Sequence, residues 1–247
     1  MAGTEPELNH RRNGHEQPAK SLLVELFSET AHSYDRMVRM ATLGMDLWWK
    51  RQMINILPSG KEFRRILDIG CGTGISTFAL AKRFPEAEIV GIDLASSYLD
   101  VAREKSNHKG FRKINWIHMP AEELADLDGE FDLMAGSYMP KLIDLEKVAL
   151  SARNKLETGG SVVMHDFIVP TSKLLRMGFM AHWQLVRLIM RISPGWLQTS
   201  QNLFRIIWES RWPDRIEPIF AANGFGNFKY QTQPLQVARI MYAERTS

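Results

Sequence analysis

Two kinds of hydrophobic spacing alternate along the chain from residue 65 onward. Short apolar runs predict strands, and the segments between them, with apolar residues at helical spacing, predict helices. The predicted strands are residues 65–69, 88–92, 114–118, 131–135 and 162–167. The helices between them are predicted at residues 75–84, 96–105 (opened by a cap at Ser96) and 142–156. This alternation predicts a parallel sheet with helices on both faces.

Helical spacing dominates on either side of this region. Helices are predicted at residues 22–34, 45–57, 173–191, 201–209 and 214–223, and a closing hairpin at residues 228–231 and 237–243. The fold class is therefore α/β and Rossmann-like, a mostly parallel seven-stranded sheet with a helical cap. We expect a flexible tail over residues 1–20, N-terminal helices of the cap over 21–60, and one catalytic domain over 61–247. Further cap helices are expected in that domain at about residues 172–212.

Composition and charge narrow the function. Lys and Arg number 31 against 28 Asp and Glu, a net charge of +3, so no strong field for nucleic acid is expected. A single cysteine, Cys71, excludes an internal disulfide. The polar N-terminus lacks the apolar core of a secretory signal, and no window is apolar enough to span a membrane. These features predict a cytoplasmic protein without a metal site, and they leave the oligomeric state open.

Residues 66–74 hold the strongest chemical signal. Three glycines follow Asp68 in the pattern G-x-G-x-G, where a strand runs into a helix. Glycines at such a turn let a ligand approach the bare backbone, and Asp93 follows at the distance typical of an acid that holds ribose hydroxyls. The rival hypothesis is a dinucleotide enzyme, but Ile75 stands where that fingerprint needs its third glycine. The stretch resembles the first motif of class I methyltransferases, which implies S-adenosyl-L-methionine as cofactor.

Similarity to one methyltransferase family extends beyond this loop. Residues 27–35, Leu43-Gly44, the Trp49-Lys50 pair, the turn at 156–160 and the segment 209–225 resemble the ubiquinone/menaquinone biosynthesis C-methyltransferase family in one register. The resemblance covers roughly residues 25–230 and implies carbon methylation of a prenylated quinol.

The chain also departs from this family at several positions. Pro120 replaces an acid that reaches the adenine amino group, Met139-Pro140-Lys141 replaces an Arg-Asn pair, and His165-Asp166-Phe167 replaces Leu-Glu-Phe. Residues 201–204 replace a tyrosine-rich stretch. These departures bear on the acceptor more than on the cofactor.

Motif and resemblance together predict the binding residues. Those expected to hold the cofactor are Tyr34, Asp68, Gly70, Cys71, Gly72, Gly74, Asp93, Leu94, Ala121, Glu122 and Ser137. For Tyr34 and its neighbour Asp35, the alternative is that they only tether the N-terminal helix.

Catalytic groups are expected at the carboxyl ends of the strands, because ligands bind there in open α/β sheets. A phenolic or enolic acceptor also needs a nearby base. The candidates are His165, Asp166, Tyr138 and Lys141. His165 is expected to titrate near neutral pH, with a purely structural hydrogen bond as the alternative. His165 and Asp166 are consecutive in a strand, so only one of them can face the site.

Residues 173–191 carry a further pattern. On a helical projection Lys173, Arg176, Arg187 and Arg191 form one stripe, and an apolar set that includes Leu174 and Leu188 lies on another side. One hypothesis is peripheral contact with anionic headgroups through this helix. The other is a cap helix whose apolar side packs on the domain while its basic edge is solvated.

The sequence thus predicts a methyltransferase that acts on a hydrophobic small molecule or lipid, with a prenylated quinol carbon as the first choice. The alternatives are another acceptor (a polyketide, a sterol-like lipid or a phospholipid amine) or a cofactor-binding module without catalysis.

Overall fold

The computed structural model describes Val24 and residues 30–247. The predicted tail over 1–20 and most of the predicted helix over 22–34 lie outside the described residues. The helices are α1 Tyr34–Ala41, α2 Met45–Asn55, α3 Ile75–Arg83, α4 Ser96–Lys109, α5 Leu145–Lys155, α6 Lys173–Met190, α7 Pro194–Ser210 and α8 Trp212–Ala222. The strands are β1 Arg65–Ile69, β2 Glu88–Asp93, β3 Ile114–His118, β4 Phe131–Ser137, β5 Leu156–Phe167, β6 Phe225–Thr232 and β7 Ala238–Arg245.

All seven strands form one sheet in the order β3-β2-β1-β4-β5-β7-β6. The first five strands are parallel, and β7 runs antiparallel between β5 and the edge strand β6. The prediction of a mostly parallel seven-stranded sheet closed by a C-terminal hairpin is confirmed. The order reverses between β1 and β4, and a crevice opens at such a switch point beyond the carboxyl ends of the strands.

Helices cover both faces of the sheet. On one face α2 and α3 contribute Met53 and Leu80 to a buried cluster with Ile66 and Val163. On the other face α5 and α8 pack through side chains that include Val148 and Phe220. Within the segment 21–60, α2 therefore lies on the sheet, whereas α1 packs against α6.

The cap is held together by contacts between segments far apart in sequence. His182 Nε2 of α6 lies 2.8 Å from the carbonyl oxygen of Ala41 at the end of α1. Trp196 of α7 donates its Nε1–H to Ser33 Oγ at 2.8 Å. These bonds draw α1, α6 and α7 into one helical layer.

Two local predictions were wrong. The predicted serine cap at Ser96 is absent: the N-cap residue is Ala95, and its N–H donates to the Asp93 carboxylate at 2.9 Å. Helix α7 begins at Pro194, seven residues before the predicted start at 201. Proline suits this first position because its fixed φ is helical and it lacks the N–H that would have no partner there.

Candidate active site

The glycine loop after β1 is shaped by left-handed backbone. Gly70 and Gly72 have φ of 61° and 55°, a region that glycine enters without steric penalty. A Cβ on Gly70 would lie 1.9 Å from Met139 Sδ, whereas a Cβ on Gly72 would meet only the Tyr98 ring, at 3.7 Å. Gly70 is therefore needed for close packing, and Gly72 leaves its backbone open.

The loop borders a cleft of about 970 Å³, counting the space that is open to solvent. The cleft lies at the carboxyl ends of β1, β2 and β4, where the prediction placed the cofactor. The predicted residues that line it are Tyr34, Gly70, Cys71, Gly72, Asp93, Leu94, Ala121, Glu122, Ser137 and Tyr138. The lining also includes residues that the sequence did not single out for it, namely Lys50, Thr73, Met119, Met139, Leu142 and Ile143.

Asp93 closes the cleft at the end of β2. Its Oδ2 accepts the Gly72 N–H at 2.8 Å, and its Oδ1 accepts the Ala95 N–H at 2.9 Å. Burial raises the pKa of Asp93, and these two backbone hydrogen bonds oppose the rise. The carboxylate therefore holds the glycine loop to the start of α4 while it faces the cleft.

Asp68 and Lys50 are two buried charges near the glycine loop. Asp68 is fully buried; its Oδ2 accepts hydrogen bonds from Ser76 Oγ at 3.1 Å and Thr77 Oγ1 at 2.6 Å. Its Oδ1 has no hydrogen-bond partner among the described residues. Burial raises the pKa of Asp68 to about 6, although both hydroxyl bonds and the charge of Lys50 lower it.

Lys50 comes from α2 and lines the cleft with 7% of its surface exposed. Its Nζ lies 4.3 Å from the centroid of the Tyr138 ring, and it makes no hydrogen bond or ion pair within residues 30–247. Burial lowers the pKa of Lys50 to about 8 against the opposing charges of Asp46, Asp35 and Asp68. A buried cation and a buried carboxylate oxygen thus both lack a hydrogen-bond partner near the same loop, which is costly unless a ligand pairs with them.

Asp35 fastens the N-terminal helix to this loop. Its Oδ1 accepts from Thr73 Oγ1 at 2.5 Å, and its Oδ2 pairs with Lys105 Nζ at 2.5 Å. The Tyr34 ring lies beside that of Tyr98 with centroids 5.1 Å apart and lines the cleft. Asp35 therefore makes the tether that was the alternative hypothesis, and Tyr34 faces the ligand space.

A second, apolar cavity of about 600 Å³, counting the space that is open to solvent, lies next to the cleft, under the cap. Tyr34, Tyr138 and Leu142 line both spaces. The remaining lining residues are Met37, Val38, Ala41, Thr42, Lys141, Phe167, Trp183, Val186, Met190, Ser200, Leu203 and Ile207. The cavity is thus built from α1, α6 and α7 together with the ends of β4 and β5.

Tyr138 lies between the two spaces and borders both. Its backbone is left-handed, with φ of 66°, which is rare for a residue with a Cβ. Its N–H donates to the carbonyl oxygen of His165 at 2.6 Å, and its own carbonyl oxygen accepts from Lys141 Nζ at 2.7 Å. The Tyr138 Oη is buried without a partner among the described residues. Burial raises the pKa of this phenol well above its usual value, so the group stays protonated.

Lys141 and Asp166 form a buried ion pair at 2.7 Å, with side chains 2% and 0% exposed. The Asp166 carboxylate also accepts the backbone N–H groups of Lys141 at 3.0 Å and of Phe167 at 2.7 Å. Burial lowers the pKa of Lys141 and raises that of Asp166, while the pairing opposes both changes. This pair holds the turn after β4 that carries Tyr138.

His165 lies behind the cavity wall. Its Nδ1 is 3.3 Å from Ser137 Oγ, and its Nε2 has no partner within the described chain. Burial and the charges of Lys50 and Lys141 lower its pKa well below the usual value. The expectation that His165 titrates near neutral pH was therefore wrong, because the ring is dry and lies close to two cations.

Five of the predicted site residues do not line the cofactor cleft. Lys141 lines only the apolar cavity; Asp68, Gly74, His165 and Asp166 line neither space. The charged residue that the sequence analysis left out was Lys50. The Trp49-Lys50 pair was the signal that could have identified it, since that pair belongs to the family resemblance.

The strand order, the glycine loop after β1 and the acid at the end of β2 define a class I methyltransferase fold. The chain belongs to the ubiE/COQ5 methyltransferase family, which matches residues 15–243. This membership confirms the prediction of an S-adenosyl-L-methionine-dependent methyltransferase.

Two relatives match nearly the whole chain. The demethylmenaquinone methyltransferase of Thermus thermophilus is 29% identical over 225 residues, covering 89% of this chain and 100% of the relative. The ubiquinone/menaquinone biosynthesis C-methyltransferase UbiE of Geotalea daltonii is 26% identical over 235 residues, covering 90% and 96%.

Solved structures agree on the fold. The pyocyanin biosynthetic protein PhzM matches with a TM-score of 0.62 at 16% identity, over 89% of this chain and 61% of its own. Geranyl diphosphate C-methyltransferase from Streptomyces coelicolor, solved with S-adenosyl-L-homocysteine, matches with a TM-score of 0.56 at 12% identity, over 79% and 77%.

Proposed function

We propose that this enzyme methylates a ring carbon of a prenylated quinol. The observation that carries the proposal is the apolar cavity beside the cofactor cleft, joined to it at Tyr34, Tyr138 and Leu142. An aromatic ring with an apolar tail fits such a lining, whereas a charged acceptor would lose its hydration there without compensation. The relatives named as demethylmenaquinone methyltransferases support the same acceptor class.

The residues of the cleft fit the cofactor. The open backbone at Gly72 and the carboxylate of Asp93 suit the ribose and its neighbouring atoms. The amino-acid end of the cofactor carries both an ammonium and a carboxylate. We assign the carboxylate to Lys50, which lines the cleft, and the ammonium to the charge of Asp68, which lies behind the glycine loop and whose Oδ1 is unpaired within the described residues. When bound, S-adenosyl-L-methionine supplies a methyl group on a positively charged sulfur, so the protein mainly has to align the reactants.

Tyr138 is the polar group best placed to orient the acceptor. It lines both spaces, and its protonated Oη lacks a partner among residues 30–247. We assign it a hydrogen bond to a quinol oxygen, which would fix the ring with one carbon towards the cleft. In this proposal Lys141 and Asp166 position Tyr138 through its backbone, and His165 supports Ser137. None of these three accepts a proton; the proton that the methylated ring carbon loses passes to water at the open cleft.

Transfer of a labelled methyl group tests the acceptor. The purified enzyme is incubated with labelled S-adenosyl-L-methionine and one of three acceptors: a chemically reduced demethylated prenyl naphthoquinol, its oxidised quinone, or phosphoethanolamine. We expect label only in the reduced compound, since the quinol oxygens supply the electron density that makes the ring carbon nucleophilic. Label in phosphoethanolamine, or in none of the three, would contradict the proposal.

A variant of the cavity tests where the acceptor binds. Leu203→Trp adds bulk in the apolar cavity but not in the cleft, so the KM for the quinol should rise at least about tenfold. Affinity for S-adenosyl-L-homocysteine should not change. Leu150→Trp on the exposed side of α5 is the matched control, because Leu150 is 54% exposed and lines neither space.

The acceptor class also bears on where the enzyme works. No helix among the described residues has the length and hydropathy to cross a bilayer. A prenylated quinol dissolves in the bilayer, so we propose that the enzyme meets its acceptor at a membrane surface.

A further inference from the structure

Helix α6 presents two different apolar faces. One face is buried against the rest of the protein, and three of its four side chains line the apolar cavity. The four are Phe179, Trp183, Val186 and Met190. On the opposite side lie apolar side chains that stay in solvent. These are Leu174, Met177, Leu185, Leu188 and Ile192, with exposed fractions of 77%, 62%, 53%, 58% and 69%. The hypothesis that the apolar side of this helix packs on the domain therefore accounts only for its four buried apolar residues.

The exposed apolar residues form a continuous strip. At 100° per residue the four that belong to α6 fall within an arc of about 80°, so they lie along one side of the helix, and Ile192 follows in the turn after its end. The four cations Lys173, Arg176, Arg187 and Arg191 occupy the neighbouring arc. His182 of α6 bonds the carbonyl oxygen of Ala41, and Leu43, two residues further along the same turn, is 75% exposed.

Charge on this part of the chain is of one sign. No acidic residue occurs between Asp166 and Glu209, while that stretch holds Lys173, Arg176, Arg187, Arg191 and Arg205. The whole chain, in contrast, is nearly balanced at +3. Basic residues beside an exposed apolar strip on one helix complement a surface that is anionic outside and apolar a few ångströms deeper, which describes a bilayer with acidic lipids.

We infer that the outer face of α6, made of the apolar strip and its basic neighbours, docks the enzyme on an anionic membrane surface. The same helix then carries the membrane contact on one side and the wall of the acceptor cavity on the other. The inference rests on the proposed function only for the reason why the enzyme docks: a prenylated acceptor must be drawn from the bilayer. The docking itself depends on this surface and needs no turnover.

Co-sedimentation with vesicles tests the inference on the full chain. We expect binding to vesicles of phosphatidylglycerol and phosphatidylcholine, release as salt rises, and weak binding to phosphatidylcholine alone. The double variant Arg187→Glu/Arg191→Glu should lower partitioning more than about tenfold, since each cation near such a surface contributes several-fold. The matched control is Arg112→Glu/Arg153→Glu, which changes the net charge equally at two exposed positions on other elements, the loop before β3 and α5, and should bind like the wild type.

A second variant separates the apolar contribution. Leu185→Ser/Leu188→Ser removes two exposed side chains, so folding should persist while vesicle binding falls. Wild-type protein that ignores anionic vesicles would overturn the inference. So would a stable dimer in solution that Leu185→Ser/Leu188→Ser dissociates, because the strip would then be an interface between two copies.

Turnover of a short-chain, water-soluble quinol distinguishes this inference from the proposed function. The α6 variants should keep that activity, since their substituted residues line neither space. If the wild type binds vesicles but methylates no quinol, the proposed function fails and the docking surface stands. If it methylates the quinol but does not bind vesicles, the reverse holds.

Discussion

The two ends of the active-site crevice differ in whether their charged side chains are paired. On the cofactor side, around the ends of β1 and β2, the ligand space is bordered by backbone at Gly70 and Gly72, and charges at Asp68 and Lys50 remain without an ionic partner in the described chain. On the acceptor side, around the ends of β4 and β5, the charges of Lys141 and Asp166 are paired with each other and the space is apolar.

This difference follows from what each side has to bind. A zwitterionic, polar cofactor supplies the partners for unpaired groups, so leaving them unpaired favours its binding. An uncharged quinol can pair with the Tyr138 hydroxyl but supplies no counter-ion, so the charges there must be paired inside the protein. The comparison predicts that removing a charge on the cofactor side changes affinity for the cofactor, whereas removing one on the acceptor side changes stability.

The largest expected effect is on the cofactor side. Gly72→Val places a branched side chain at φ of 55° on backbone that borders the cleft, so binding of S-adenosyl-L-homocysteine should be lost in calorimetry. Gly110→Val is the matched control: Gly110 has φ of 73°, and a Cβ there would meet nothing within 4 Å. Both variants carry similar backbone strain, but only the first should lose the ligand. Equal affinities in the two variants would show that the loop does not border the cofactor.

On the acceptor side, Lys141→Met should lower the free energy of unfolding by about 3–5 kcal/mol, because it leaves the buried Asp166 carboxylate without its partner. Lys141→Met/Asp166→Asn should recover much of this loss, since an amide oxygen still accepts a backbone N–H and no charge remains. Urea unfolding measures both. As control, Lys113→Met breaks the exposed pair with Glu86 and should have little effect. A Lys141→Met variant as stable as the wild type would remove the contrast between the two sides.

The loop that borders the cleft could be predicted from the sequence, although Asp68 and Gly74 lie behind its wall, and the apolar cavity could be predicted only in part, for a physical reason. Asp68, the glycines and Asp93 lie within 26 residues on one strand-turn-helix-strand unit, so local spacing determines their arrangement. The acceptor cavity combines α1, α6 and α7 with two strand ends, and one of its contacts joins His182 to Ala41 across 141 positions. No local pattern predicts such a contact. His165 and Asp166 were correctly placed at a strand end, but their burial depends on residues distant in sequence, such as Trp49 of α2, whose ring centroid lies 6.1 Å from that of His165.

Lys50 lies where the two sides meet. Its substitution should have the smallest effect of the three, a change in cofactor affinity that depends on pH. With its pKa lowered to about 8, Lys50 is a cation below that pH and becomes neutral as the pH rises through it. If its charge holds the cofactor carboxylate, affinity for S-adenosyl-L-homocysteine should fall across this range. Lys50→Met should weaken binding by about 1.5 kcal/mol, roughly tenfold, below the pKa, and the difference from wild type should vanish above it.

Two comparisons separate the effect of Lys50 titration on affinity from the effect of titrating the ligand's own amino group. The amino group of S-adenosyl-L-homocysteine also titrates in the alkaline range, but it does so equally for every variant. Lys50→Arg keeps its charge throughout, so its affinity should not show the additional fall that the wild type shows near pH 8. Calorimetry across the pH range measures all three proteins. A constant ratio between the wild type and Lys50→Met at every pH would mean that the Lys50 charge does not contribute, and that this residue acts through its contact with the Tyr138 ring, on the acceptor side.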